Sequence, residues 1–165
     1  MSKGIEIEEI RIENCVKGCI TDCTSPVISF SLKSDKFNTK MEKAKILIGG
    51  YSKIVKKQTG IICDNVVKNP FSQYPIQIEV IDNYGRKAIK KGCFMSGRLD
   101  TPWDAQWITD EDYEFSSKES PKPMTFLKTF YCHGNVKRAY ITSTAIGVYE
   151  LTLNGCLCSL KLSDS

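Results

Sequence analysis

A chain of 165 residues and 18.6 kDa has room for one large or two small domains, taking a domain as roughly 100–150 residues, and is too short for a large multi-domain enzyme. With 41% hydrophobic and 25% charged residues it has a globular make-up, which excludes a disordered tail, a collagen or a coiled coil. The net charge of +4, from 23 basic against 19 acidic side chains, is too small an excess to hold a polyanion by itself, so nucleic acid is not the expected partner.

The predicted elements begin with Ile5, Ile7, Ile10 and Ile12 set among Glu6, Glu8, Glu9, Arg11 and Glu13. This alternation breaks once between Glu8 and Ile10, where a bulge would restore the buried face of a first strand. Further strands are expected at Val27–Lys33, Lys43–Tyr51, Ile61–Val67, Ile76–Asp82 and Arg86–Phe94. Turn formers separate them: Ser25-Pro26, Gly49-Gly50, Asn69-Pro70 and Asp82-Asn83-Tyr84-Gly85. No helical period is sustained here. Short β-segments with polar turns over about 95 residues predict an all-β fold, an antiparallel sandwich of the immunoglobulin or fibronectin type III kind, over 1–99. Residues 100–123 then read as an acidic linker: between Asp100 and Ser120 stand seven acidic side chains and one basic, Lys118, followed by Pro121-Lys122-Pro123. A second β unit is expected over 124–165, with strands at Phe126–Tyr131, Val136–Thr144 and Val148–Leu153 and a hairpin turn at Asn154-Gly155.

No apolar run approaches the roughly 18–20 residues of a membrane-spanning helix, and the N-terminus alternates Ile and Glu where a signal peptide would be continuously apolar. A soluble, cytoplasmic chain without membrane contact is the expectation. The eight cysteines (15, 19, 23, 63, 93, 132, 156, 158) show no repeated framework and are expected to be reduced. Cys15, Cys19 and Cys23, spaced by four, invite a metal reading, but structural zinc wants paired ligands two residues apart, and the single histidine, His133, is remote in sequence. Cys156 and Cys158 share one side of an extended chain and are too close to bridge each other. His133-Gly134-Asn135 reads as a turn, so a Cys–His nucleophile pair is not expected. Glycoside hydrolysis needs two carboxyls facing across a sugar. Asp110, Glu111, Asp112 and Glu114 supply carboxylates on a polar stretch where nothing would separate their pKa values. Lys33 to Lys57 holds eight lysines against Asp35 and Glu42, and solvated strand faces explain this more simply than RNA binding does. Trp103 and Trp107 are the only tryptophans: exposed, they could stack on a sugar; beside a domain change, burial is the expectation, for Trp107 above all.

Two segments resemble a known family. Trp103-Asp104-Ala105-Gln106-Trp107-Ile108 is similar to the W-x-A-x-W-I start of the second domain of bacterial α-L-rhamnosidases of glycoside hydrolase family 78. Val136 to Gly155 is similar to that family's V-K-R-A-x-x-x-x-T/S-A-L-G-x-Y-E-L-x-I-N-G stretch. Gly147 there suits a tight bend, Tyr149, Leu151 and Leu153 share a face, and Asn154-Gly155 suits a two-residue turn. The likeness extends, more divergently, through Val27–Phe30, Ala44–Gly50, Ile76–Gly85 and Phe94–Leu99. It implies a fibronectin-like domain followed by the truncated start of a jelly roll over 124–165. In the family an (α/α)6 barrel follows, whose carboxylates hydrolyse terminal α-L-rhamnosides with inversion; none of that barrel is in this sequence. The tail after Gly155, Cys156-Leu157-Cys158 to Ser165, departs from the family, as a truncated or frameshifted gene product would. The resemblance thus implies a non-catalytic fragment, with no catalytic residue, cofactor, metal ligand or assigned sugar contact. Its expected partners are the remainder of a rhamnosidase chain and rhamnosylated carbohydrate, with self-association through the truncated sheet. The alternative is a free-standing carbohydrate-binding or adhesion module.

Overall fold

A computed structural model describes residues 4–110, 122–137 and 139–158. The described residues form ten strands and no helix: β1 Ile5–Ile12, β2 Ile20–Thr21, β3 Val27–Ser34, β4 Met41–Ile48, β5 Tyr51–Val55, β6 Ile61–Ile62, β7 Gln73–Asp82, β8 Lys87–Ser96, β9 Leu151–Leu153 and β10 Cys156–Cys158. The protein is therefore all-β, and it divides into two compact units, Met1–Gln106 and Trp107–Ser165.

The first unit is a β-sandwich. One sheet has three strands in the order β1-β3-β6, the other five in the order β2-β8-β7-β4-β5, and one apolar core joins them. All pairings are antiparallel except the short parallel β2–β8 contact, Ile20↔Met95 and Thr21↔Ser96. Alternation sends Ile5, Ile7 and Ile12 inward from β1, Ile28 and Phe30 from β3, Ala44, Ile46 and Ile48 from β4, and Ile76, Ile78 and Val80 from β7. Each fully buried Ile or Phe stabilises by about 1.5–3 kcal/mol, so this face-to-face packing dominates the energetics. The predicted bulge is present: Ile7 faces Leu32 and Glu9 faces Ser31, leaving Glu8 as the extra residue.

Three parts of the strand reading are corrected. The segment Lys43–Tyr51 ends at Ile48; Gly49, at φ 56°, turns the chain in a two-residue hairpin, and Tyr51–Val55 returns as β5. Only Ile61 and Ile62 of Ile61–Val67 pair, with Ile28 and Val27, while Val67 is buried from a loop. The two-residue β2 is too short to have a period and escaped prediction.

In the second unit no strand is present among the described residues of the expected strands Phe126–Tyr131 and Val136–Thr144. A strand needs a neighbour for its backbone groups, and among the described residues this unit offers none there. Among its described residues only the hairpin β9–β10 forms, with Leu153 facing Cys156 across Asn154 (φ 50°) and Gly155 (φ 78°), the two left-handed residues that a tight hairpin turn requires. No described helix is long and apolar enough to cross a membrane.

Candidate functional site

At one end of the sandwich the β3–β4 loop (35–40) and the β7–β8 loop (83–86) are fastened to each other by a single buried carboxylate. Asp82, the last residue of β7, is 0% exposed. Its Oδ1 accepts the Tyr84 and Arg86 backbone N–H groups at 3.0 and 2.8 Å, and its Oδ2 accepts Arg86 Nε at 2.8 Å. Burial would raise this carboxyl, but the two backbone donors and the guanidinium outweigh it and hold its pKa below the usual value. Arg86 also reaches the opposite side, with Nη1 on Asp35 Oδ1 at 3.1 Å and Nη2, itself 2.8 Å from Asp82 Oδ2, on Ser34 Oγ at the end of β3 and Thr39 Oγ1 in the loop at 2.9 Å each. The planar fork is what allows one side chain to reach four residues.

Three further contacts lock the same loop. Asn83 Oδ1 accepts Lys40 N at 2.8 Å, Asn83 N donates to Lys40 O at 2.9 Å, and Tyr84 OH donates to Phe37 O at 3.2 Å. Asn38 takes the left-handed conformation (φ 59°) that turns the loop tip. Lys36 Nζ lies 3.5 Å from the centre of the Tyr84 ring, a cation–π contact. The consequence is that Phe37, at the tip, is 95% exposed on a loop held from every side.

Beside this loop, an open groove of about 760 Å³ runs between residues 32–41 and residues 56–58. Lys33, Lys36, Lys40, Lys56 and Lys57 line it, all exposed, and its one carboxylate, Asp35, already faces Arg86. Such a surface attracts anions. It lacks the paired carboxyls, one protonated and one charged, that glycoside hydrolysis requires.

The residues singled out from the sequence are scattered. Cys19 is buried and Cys15 half-buried; the Cys19 thiol donates to Cys15 O at 2.8 Å, and burial, then its neighbour Cys15, pushes it up to about 11. Cys63 is likewise pushed up to about 11 by burial. Cys23 is exposed, and all eight cysteines are free thiols. Among the described residues no group of three or more His, Cys, Asp or Glu side chains could hold a metal ion. His133 is exposed in the second unit. Asp110 is described and exposed, while Glu111, Asp112 and Glu114 lie outside the described residues.

Both tryptophans correct the expectation of burial: Trp103 is 48% and Trp107 70% exposed. Residues 101–110 run without helix or strand, and Trp103 carries the Arg98 guanidinium 4.0 Å from its centre. Sequence reasoning passed over Asp82, Arg86 and Phe37. The available signals were an Asp and an Arg four apart around a turn, and one large apolar residue inside an otherwise polar run, Ser34-Asp35-Lys36-Phe37-Asn38.

By sequence, no family profile and no curated protein matches the chain. By structure, it is similar to an α-L-rhamnosidase of Streptomyces avermitilis in complex with L-rhamnose, at a TM-score of 0.56 and 13% identity, over 64% of this chain and 12% of that one. It is similar also to an α-L-rhamnosidase of Dictyoglumus thermophilum, at a TM-score of 0.57 and 15% identity, over 66% of this chain and 14% of that one. The likeness is one of fold. The chain spans about an eighth of the length of the structures it matches.

Proposed function

We propose that the chain is a non-catalytic N-terminal part of an α-L-rhamnosidase-like glycoside hydrolase, serving structural support or carbohydrate presentation. On this reading 1–99 is a fibronectin type III-like domain, 100–123 an acidic linker and 124–165 the start of a jelly-roll domain. The observation that carries the proposal is agreement between independent features. About two thirds of the chain is similar in fold to part of two rhamnosidases, and the family-like stretch 136–155 ends in the hairpin β9–β10 that its Asn154-Gly155 predicts. At the loop clamp the carboxylates of Asp82 and Asp35 are both engaged by Arg86.

Two measurements test this. The isolated chain is expected to release no chromophore from an aryl α-L-rhamnoside; turnover that follows the purified chain overturns the non-catalytic role. The genomic sequence following the Ser165 codon is expected to encode an (α/α)6-type barrel in one of its frames, and its absence overturns the rhamnosidase parentage. The exposed Trp103 and Trp107 favour a second reading, a carbohydrate-binding module whose indole rings stack on sugar. Loss of rhamnose binding in a Trp107→Ala protein of unchanged stability would support it.

A further inference from the structure

We propose that the lysine groove between the β3–β4 and β5–β6 loops is a binding site for a carboxylated polysaccharide, with Phe37 as its stacking platform. The positive charge is concentrated at this one surface. Five exposed lysines line the groove, and the only carboxylate among its lining residues is withdrawn into the pair with Arg86, so the surface is far more positive than the +4 of the whole chain implies. Ammonium groups on flexible stems act as point charges that follow carboxylates spaced along an extended chain.

Phe37 adds an apolar feature to this surface. A ring that is 95% exposed at a loop tip contributes nothing to the core, yet Arg86, Asn83 and Tyr84 together fix the loop that carries it. Holding the ring in place before a ligand arrives lowers the entropy lost on binding. Lys36 is drawn over the Tyr84 ring and so stands fixed beside Phe37, which places a positive charge and a flat apolar face on adjacent residues. A uronate ring presents that same pair, a carboxylate and an apolar C–H face. The choice of a glycan over another polyanion rests on the carbohydrate reading above; the groove's charge and the fixed ring do not.

The test uses the full chain and polygalacturonate as probe, with dextran as uncharged control and poly-L-glutamate as acidic-peptide control, followed by calorimetry at low and at physiological salt. Binding to polygalacturonate is expected, with weakening as salt rises because exposed charges are screened. Lys36→Gln/Lys40→Gln/Lys56→Gln and, separately, Phe37→Ala are each expected to weaken it by about ten-fold or more. A triple change of equal charge outside the groove, Lys17→Gln/Lys68→Gln/Lys91→Gln, is expected to leave most of the affinity. All these positions lie on the surface, so melting temperatures should be close to that of the parent and show that each variant folds.

Equal loss in the control triple would overturn the site, since the attraction would then belong to the whole surface. Equal binding of poly-L-glutamate would overturn the glycan and point to an acidic peptide. Absence of binding to any probe at low salt would overturn the proposal outright. None of these results touches the rhamnosidase parentage, which the aryl rhamnoside assay and the downstream sequence decide.

Discussion

Removing the Asp82 carboxylate should both destabilise the sandwich and release the β3–β4 loop. In Asp82→Ala two backbone N–H groups and Arg86 Nε lose their acceptor inside a site with no exposure. Breaking a buried ion pair costs about 3–5 kcal/mol when the surviving charge is left alone. Here the Arg86 side chain is 25% exposed and keeps Asp35, Ser34 and Thr39, which places the cost at the low end, about 3 kcal/mol. Asp82→Asn keeps an oxygen for the two N–H groups but turns an amide toward the guanidinium; loss of the charge-assisted bond alone predicts about 2 kcal/mol. For a domain of this size each kcal/mol moves the melting point by about 4–8 °C, so both variants are measurable by circular dichroism in urea and on heating. The pH dependence has a fixed sign. The carboxyl titrates near 3.8 when unfolded and lower when folded, so its contribution is complete above about pH 4 and disappears as pH falls through the folded value. The gap between parent and Asp82→Asn should therefore close in acid. Two variants that unfold within about 0.5 kcal/mol of the parent at neutral pH would refute the reasoning, because surface substitutions already lie in that range.

A Cβ at position 97 would clash with Asp22 Oδ1, whose carboxylate accepts Leu99 N at 2.9 Å. Gly97→Ala should therefore push Asp22 off that bond and cost about 1 kcal/mol in urea unfolding, with little further loss on adding Asp22→Ala. Thiol labelling at neutral pH in the folded state should modify the exposed Cys23 and Cys93 quickly and spare Cys63, which is buried with its pKa pushed up to about 11; rapid labelling of Cys63 would mean that the core opens there. Trp107→Ala should melt close to the parent, since the ring is 70% exposed, and a loss of several kcal/mol, as about 3–5 is typical for a buried Trp, would show that it is covered in solution.

Much of the sandwich was legible because period-two burial is written directly in β1, β3, β4 and β7, including the slip at Glu8 that the bulge absorbs. What escaped had no period to read. Ile20–Thr21 and Ile61–Ile62 are held by neighbours far along the chain, and Gly49-Gly50 could be read through as strand when it is the corner of a hairpin. In the second unit apolar alternation alone misled: Phe126–Tyr131 and Val136–Thr144 have strand composition, but pairing depends on a partner that a one-dimensional pattern does not specify. The loop clamp was invisible for a related reason. Asp82 looks like an ordinary turn residue, and only the fold brings Asp35, Ser34 and Thr39 to the guanidinium of Arg86. In the sequence the lysines of 33–57 look like solvated strand positions, and their gathering around one groove depends on the β5–β6 loop returning beside β3.

The bulge at Glu8 has a further consequence at the flank of the sandwich. As the unpaired residue of β1 it leaves its carbonyl outside the ladder, and Lys90 Nζ of β8 reaches across from the other sheet to bond it at 2.7 Å. On the opposite flank Lys53 of β5 does the same for Ile62 O of β6 at 2.7 Å and meets Asp64 at 3.0 Å. Each gap between the two sheets is thus crossed by one ammonium group. An incoming β-strand from another molecule would have to displace these ammonium groups and desolvate their charge before it could pair along either margin. Neutralising Lys53 and Lys90 together, by acylation or by substitution with Gln, should therefore show itself less in the unfolding midpoint than in a shorter lag before aggregation, because the margins that seed chain-to-chain growth would have lost their guard.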